Sequence, residues 1–238
     1  MTSAAQKTAD AFADVARNLL DRGSVQATLE EISDLAASEV GGCEFAGISL
    51  VGGDGTISTP VATDPLVEHA DQLQYTTGQG PCLETIHDRQ VYVVDDVRQD
   101  GRWPVFAAEV AGLGVRSMMS HQLYTRREVL GCLNLYSTEL NAFDRGSVEI
   151  GQVLAAHAAV ALASAQNDAR LRDAMQTRSR IGEATGILME RYKVPGDQAF
   201  ALLVKASQNL NTKLRELAEV LVETGALPRG SSGPDRQG

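Results

Sequence analysis

The sequence predicts an α+β protein: an antiparallel sheet with flanking helices, followed by a long helix and an all-helical C-terminal module. Three observations carry this. Between about residues 43 and 136, short apolar runs of strand type are separated by turn residues. These runs lack the strict strand–helix alternation of a parallel sheet. From Asp144 onward apolar residues recur at helical spacing, and no proline interrupts before Val194.

The elements follow in order. Phe12, Val15, Ala16 and Leu19 mark a first amphipathic stretch. Val25, Leu29, Ile32, Leu35 and Ala36 mark a second, with Ser24 as N-cap and Gly41-Gly42 as its end. Strands are expected at Cys43–Val51, Thr56–Ala62, Val91–Val94, Val115–Tyr124 and Val129–Tyr136. Arg126-Arg127-Glu128 forms a hairpin loop between the last two. Between Ala155 and Ala165, seven of eleven residues are alanine, which favours helix and lets a neighbour approach closely.

Leu171, Ala174, Met175, Ile181, Ala184 and Leu188 continue the stripe of the long helix. A helix that long cannot bury its whole apolar face within one small domain, so a partner helix from a second copy is expected over 144–193. Two shorter helices broken near Asn167-Asp168 are the alternative. Pro195-Gly196-Asp197 starts a further helix with an apolar face at Ala199, Leu202, Leu203, Ala206 and Leu210. Asn211 or Thr212 caps a last one, carrying Leu214, Leu217, Ala218 and Leu221 and closed by Gly225 and Pro228. The tail 229–238 has the composition of a disordered segment.

Composition bounds the function. No run of eighteen apolar residues suggests a membrane span, and the N-terminus lacks the basic start and apolar block of a signal peptide, so a cytoplasmic protein is expected. The three cysteines, Cys43, Cys82 and Cys132, are odd in number and widely spaced, which argues against a disulfide framework. Cys43 and Cys132 sit in apolar strand patterns, as small buried hydrophobes do. No paired CxxC or HExxH occurs and the four histidines are scattered, so no metal site is expected.

The net charge of −10 looks unsuited to nucleic acid, but its distribution is uneven. Residues 1–170 hold 11 Lys and Arg against 23 Asp and Glu, whereas residues 171–228 hold 8 against 7. The acidity belongs to the first part, and the partner of the second must be judged separately.

Two groups of segments carry a family resemblance. Arg180-Ile-Gly-Glu-Ala-Thr-Gly-Ile-Leu-Met-Glu-Arg191, Asp197-Gln-Ala-Phe-Ala-Leu-Leu203 and Asn211-Thr-Lys-Leu-Arg-Glu-Leu-Ala218 resemble the ANTAR family. That resemblance implies a three-helix RNA-binding output domain that acts in transcription antitermination on paired stem-loops of nascent transcripts. Thr185 stands where many members carry Lys, so a charge contact there is missing. Upstream, Thr77-Gly-Gln-Gly-Pro-Cys-Leu-Glu-Thr-Ile86, Asp100-Gly-Arg-Trp-Pro-Val-Phe106, Gly114-Val-Arg-Ser117 and Leu130-Gly-Cys-Leu-Asn-Leu-Tyr136 resemble a GAF domain of the kind that precedes ANTAR modules in actinobacterial regulators. GAF implies an antiparallel sheet with a pocket for an unidentified small molecule. The domain layout that results is a helical extension at 1–19, GAF at 20–165, ANTAR at 166–228 and the tail at 229–238.

Paired RNA hides its base edges, so a protein reads loops and backbone with cations on one face and small residues that allow close approach. The expected RNA-binding residues are Arg178, Arg180, Ala184, Gly186, Arg191, Lys205, Lys213 and Arg215, although each cation is interleaved with glutamates such as Glu183, Glu190 and Glu216. The expected ligand pocket holds Gly78, Gly80, Cys82 and Trp103. Free N–H groups at the helix start after Gly80 can hold an anion, yet the segment lacks the lysine and the length of a P-loop, and a plain turn with Pro81 at the first helical position is the favoured reading. A thiol at a helix start has a lowered pKa, so Cys82 is also a candidate redox centre. Free methionine sulfoxide reductases, which have a GAF fold, look similar there. Two rival functions follow: a thiol-dependent sulfoxide reductase or redox sensor centred on Cys82, and a DNA-binding regulator whose last helices act as a helix-turn-helix. The primary expectation is a regulator and not an enzyme.

Overall fold

The computed structural model describes residues 25–88 and 91–228. The expected helix at Phe12–Leu19, the Ser24 cap and the tail from Arg229 lie outside these residues. Packing divides the chain into two units between Asn167 and Asp168.

The first unit is ordered α1 (Val25–Glu39), β1 (Phe45–Val51), β2 (Ile57–Ala62), α2 (Pro65–Thr77), α3 (Pro81–Asp88), β3 (Tyr92–Val94), α4 (Pro104–Gly112), β4 (Ser117–Tyr124) and β5 (Val129–Ser137), and it takes in the first part of α5 (Arg145–Tyr192). The five strands form one sheet in the order β2-β1-β5-β4-β3, with every neighbouring pair antiparallel. The expected α+β class and antiparallel sheet are therefore present. The hairpin between β4 and β5 closes through the Thr125 N–H donating to the Glu128 carbonyl at 2.9 Å.

Side chains on a strand alternate between faces, and here the two faces carry different chemistry. Ala46, Ile48, Met119, Leu123, Leu133 and Leu135 point to one side, where they pack with Leu29, Ile32 and Ala36 of α1 and with Leu154, Ala158, Ala159 and Leu162 of α5. The alanines of α5 keep that helix close to this core. Ser49, Ser120, Gln122, Cys132, Asn134 and Tyr136, at the alternate positions, point to the other side, beneath α2, α3 and α4. There Val67, Trp103, Phe106, Val110, Met118 and Tyr136 form a second apolar cluster.

Helix α2 has no counterpart in the sequence reading. Its start is nevertheless written locally: the Asp64 carboxylate accepts the Leu66 N–H at 2.8 Å, and Pro65 occupies the first turn. Gly78, at φ 66°, ends it in the left-handed conformation that glycine adopts without strain.

Helix α5 is continuous over 48 residues and passes through Asn167-Asp168 without a break. It is the one helix among the described residues long and apolar enough to cross a membrane by length and composition; Leu154, Ala155, Ala158, Ala159, Ala161 and Leu162 of its first part are buried in the core, while Val153 and Val160 are exposed.

The second unit consists of the remainder of α5 with α6 (Gly196–Leu210) and α7 (Leu214–Thr224). Ala184 and Leu188, Ala199 and Leu203, and Leu217, Ala218 and Leu221, contributed by the three helices in turn, are all fully buried in its core. Ile181 packs against the same cluster. The Ile181–Leu188 part of the expected dimer stripe is thus used inside the module rather than against a second copy. The expected cap at Asn211 or Thr212 also shifts. Asn211, at φ 49°, ends α6, and the position before α7 is Lys213, which makes no side-chain capping bond.

Candidate functional site

The buried polar layer of the first unit is built from β1, β2, β4 and β5 below and α2 above. Asp71 is completely buried, and five side chains donate to it. Asn134 Nδ2 and Gln74 Nε2 reach Oδ1 at 2.9 and 3.1 Å, and the Tyr136 hydroxyl joins them there. Thr59 Oγ1 reaches Oδ2 at 2.7 Å and Ser49 Oγ reaches it at 3.4 Å. Tyr75 lies within 2.7 Å of both hydroxyls, and Ser120 donates to Asn134. Burial pushes the Asp71 carboxyl above the usual carboxylate range, while these donors pull it back. The sequence reading passed over Asp71, Gln74 and Tyr75. The spacing of three and four residues from Asp71 puts all three on one face of a helix, and that was the available signal.

The loop from α2 into α3 locks this layer. Gly80, at φ 139°, leaves the space in which a Cβ would overlap the Gln74 side chain. Gln74 Oε1 then accepts the Cys82 N–H at 2.9 Å. That donor at the start of α3, which the less favoured reading left open to an anion, is taken by the protein itself. Gln79 Oε1 accepts the N–H groups of Val105 at 3.0 Å and Phe106 at 3.5 Å, and so supplies the cap that Trp103 does not give to α4. Trp103 is buried in the second apolar cluster, edge-on to Tyr92 with ring centroids 5.7 Å apart, and the Arg102 guanidinium lies 4.4 Å from its ring centroid. Gly80 and Cys82 adjoin the polar layer and Trp103 lies in the apolar cluster on the same side of the sheet, while Gly78 is exposed at the end of α2.

Cysteine usage requires a correction. Cys82 and Cys132 are joined by a disulfide with a Cα–Cα separation of 6.3 Å, across 50 residues of sequence. Strand β5 runs beneath the first turn of α3, a juxtaposition that spacing along the chain does not reveal. Cys132 is fully buried as expected, but it is bonded rather than a free apolar filler.

In the second unit the expected contact residues separate by environment. Ala184 is fully buried among the three helices, so its role is packing and not surface contact. Arg191 donates to the Gly225 carbonyl at the end of α7, a bond that closes the module. Gly186 lines an open groove of ≈ 900 Å³ in which Glu183 and Glu190 stand beside Arg191 and Lys193. Arg178 and Lys205 are exposed and have no hydrogen-bond or ion-pair partner among the described residues.

Arg180, Lys213 and Arg215 each face one carboxylate: Glu183 at 3.2 Å, Glu216 at 3.9 Å and Asp173 at 4.0 Å. These pairs are exposed, and exposed pairs are weak enough to be exchanged for a phosphate. The Arg215–Asp173 pair sets the start of α7 against α5, on the face where Arg180 follows Asp173 by seven residues, two helical turns along.

An α+β sensor fold with helices on both faces of its sheet and a three-helix module together define a regulator of modular type. The chain belongs to the GAF domain family, whose model matches residues 23–163, and it carries an ANTAR domain at residues 169–222. No curated protein sequence matches the chain. Among solved structures, the first unit is similar in fold to the GAF domain of a phosphoenolpyruvate-protein phosphotransferase from Coxiella burnetii, with 13% identity, TM-score 0.54, and 71% of this chain and 99% of that one covered. The corresponding domain from Acinetobacter aligns at 12% identity with TM-score 0.53, covering 69% and 96%. GAF3 of Slr1393 from Synechocystis sp. PCC6803, in its photoproduct state, aligns at 16% with TM-score 0.52, covering 62% and 99%.

Proposed function

We propose that the ANTAR domain binds paired stem-loops in nascent RNA and promotes transcription past a terminator, under the control of a signal received by the GAF domain. The observation that carries this reading is the placement of Arg215 against Asp173, which gathers Arg180, Lys213 and Arg215 along the α5–α7 edge. Arg178 and Lys205 add unpaired positive charge to the same module. The charge asymmetry of the chain supports it too: the acidity of the rest discourages loose binding to arbitrary polyanions.

In this reading the signal is a small molecule received near Gly78, Gly80, Cys82 and Trp103. The chain acts in the cytoplasm, as a regulator rather than an enzyme, and as a homodimer through α5. Support for the dimer is the run from Asn167 to Gln176, exposed throughout, with Leu171 55% and Met175 72% exposed. Exposed apolar side chains four residues apart on one helix face are what a partner helix would cover. Paired modules then meet paired stem-loops, and their spacing decides whether both can bind at once.

The test is transcription in vitro through a terminator preceded by two stem-loops. Addition of the full chain raises read-through, and Arg180→Ala with Lys213→Ala reduces the gain. Read-through that does not respond to the protein overturns the proposal.

A further inference from the structure

The disulfide lies inside the buried polar layer, and its surroundings differ from those of a purely structural crosslink. Both sulfurs are fully buried, yet each has a hydrogen-bond acceptor beside it. Ser49 Oγ is 3.3 Å from Cys82 Sγ, and Asn134 Oδ1 is 3.3 Å from Cys132 Sγ. When the bond is broken, each thiol has a group to which its S–H can donate, so reduction leaves no orphaned polar hydrogen in the core. An apolar cavity would provide for the oxidised form only.

The third cysteine does not interfere. Cys43 donates to the Phe45 carbonyl at 3.3 Å, and burial pushes its thiol up to about 12. It is thereby a poor thiolate for exchange with the pair. The bond also has a mechanical consequence. Besides the Cys82 N–H on Gln74, α3 is held to the sheet by Gln122 Nε2, which donates to the Thr85 and Ile86 carbonyls at 2.7 and 2.8 Å. The disulfide adds a covalent tie from the first turn of α3 to central strand β5.

We propose that Cys82 and Cys132 form a reversible dithiol–disulfide couple through which the GAF domain registers oxidation by a hydroperoxide, with α3 tied to β5 in one state and released in the other. One thiolate attacks the distal peroxide oxygen, the O–O bond breaks, and an alcohol or water leaves after taking up a proton. The sulfenic acid formed is attacked by the second thiolate; the S–S bond forms and, with a proton, the hydroxyl departs as water. Two electrons pass from the two sulfurs to the peroxide. A dithiol returns them by exchange through a mixed disulfide. The couple rests on the geometry around the two sulfurs and does not depend on what the ANTAR domain binds.

The experiment uses the full chain, equilibrated in dithiothreitol and glutathione redox buffers of graded ratio, then acid-quenched, unfolded, alkylated and weighed. The couple gives a single transition between one and three alkylated cysteines within the buffer range, and tert-butyl hydroperoxide drives reduced protein back to one. Hydrogen exchange of the α3 amides is then about tenfold faster in the reduced state, with the remaining sheet protection retained. A disulfide that survives the most reducing buffer makes the bond a structural crosslink and overturns the proposal. So do three free cysteines after hydroperoxide, or α3 exchange that is the same in both states. All readouts are made on the native sequence, so a Cys132→Ala variant that fails to fold does not blunt the test.

Discussion

Gln79 and Val105 are 26 residues apart, yet the Gln79 side-chain oxygen accepts the Val105 N–H at 3.0 Å and caps a helix it does not belong to. The glycine-flanked segment at 78–80 thereby serves to hold α4 over the sheet. Truncation at Gln79 removes a helix cap, and caps contribute about 1 kcal/mol. Gln79→Ala therefore lowers the chemical-denaturation free energy of the GAF unit by that amount, and Gln79→Glu restores it, since a carboxylate accepts the same bonds. Equal stability of Gln79→Ala and the native chain removes the cap from the account.

His121 lies on the apolar face of the sheet against Gly151 of α5, where a Cβ would overlap the imidazole ring. Neither ring nitrogen has a partner, and burial lowers the His121 pKa from its usual 6.5 to about 4. The folded state therefore holds this ring neutral, while the unfolded chain binds its proton once pH falls below 6.5. Stability is fully present above that value and is lost progressively as pH falls toward 4, up to about 3 kcal/mol. His121→Phe removes this part of the acid sensitivity in urea titrations at pH 7 and pH 4.5. Gly151→Ala destabilises strongly, and adding His121→Ala recovers a large part of the loss. A pH dependence unchanged in His121→Phe contradicts the assignment.

Asp71 collects five donors without a solvent contact, so its loss leaves several buried groups unsatisfied. Each such group costs about 1–3 kcal/mol. Asp71→Ala is expected to destabilise the GAF unit severely. Asp71→Asn keeps the volume but turns an NH2 toward donors on one side, and falls between the two. Thermal denaturation followed by Trp103 fluorescence ranks the three, and a fully stable Asp71→Ala rejects the network as a structural element.

How legible these features were in the sequence follows from their range. The sheet, the long helix and the three-helix module rest on local periodicity, and all were readable from it. Helix α2 was missed although Asp64-Pro65 and Gly78 mark both of its ends, because its amphipathic stripe is interrupted by the buried polar pair Asp71 and Gln74. The same polar alternation was present in β5, where Leu133 and Leu135 face one way and Cys132, Asn134 and Tyr136 the other. Pairings such as Cys82 with Cys132, Gln79 with Val105 and Arg191 with Gly225 join distant segments, and no spacing rule reports them. In the ANTAR domain the buried faces were legible from periodicity, Ala184 among them; its second assignment, to RNA contact, is the one that full burial leaves without a surface.

The exposed segment of α5 makes its own test. Leu171 and Met175 are four residues apart and share a face. Replacing both by lysine puts like charges at the seam of a paired helix. Sedimentation of the native chain at micromolar concentration gives a dimer, and the double variant Leu171→Lys, Met175→Lys gives a monomer with unchanged circular dichroism of the GAF sheet. A native monomer excludes the dimeric arrangement.

The most direct test of the central claim is competition binding of the full chain to a two-stem-loop RNA against duplex DNA of matching sequence, over increasing salt. The expected result is retention of RNA after DNA has been displaced. The salt slope then falls by about one for each of Arg180, Lys213 and Arg215 replaced by alanine. Tighter retention of the duplex DNA, or a triple variant that binds the RNA as the native chain does, contradicts the account.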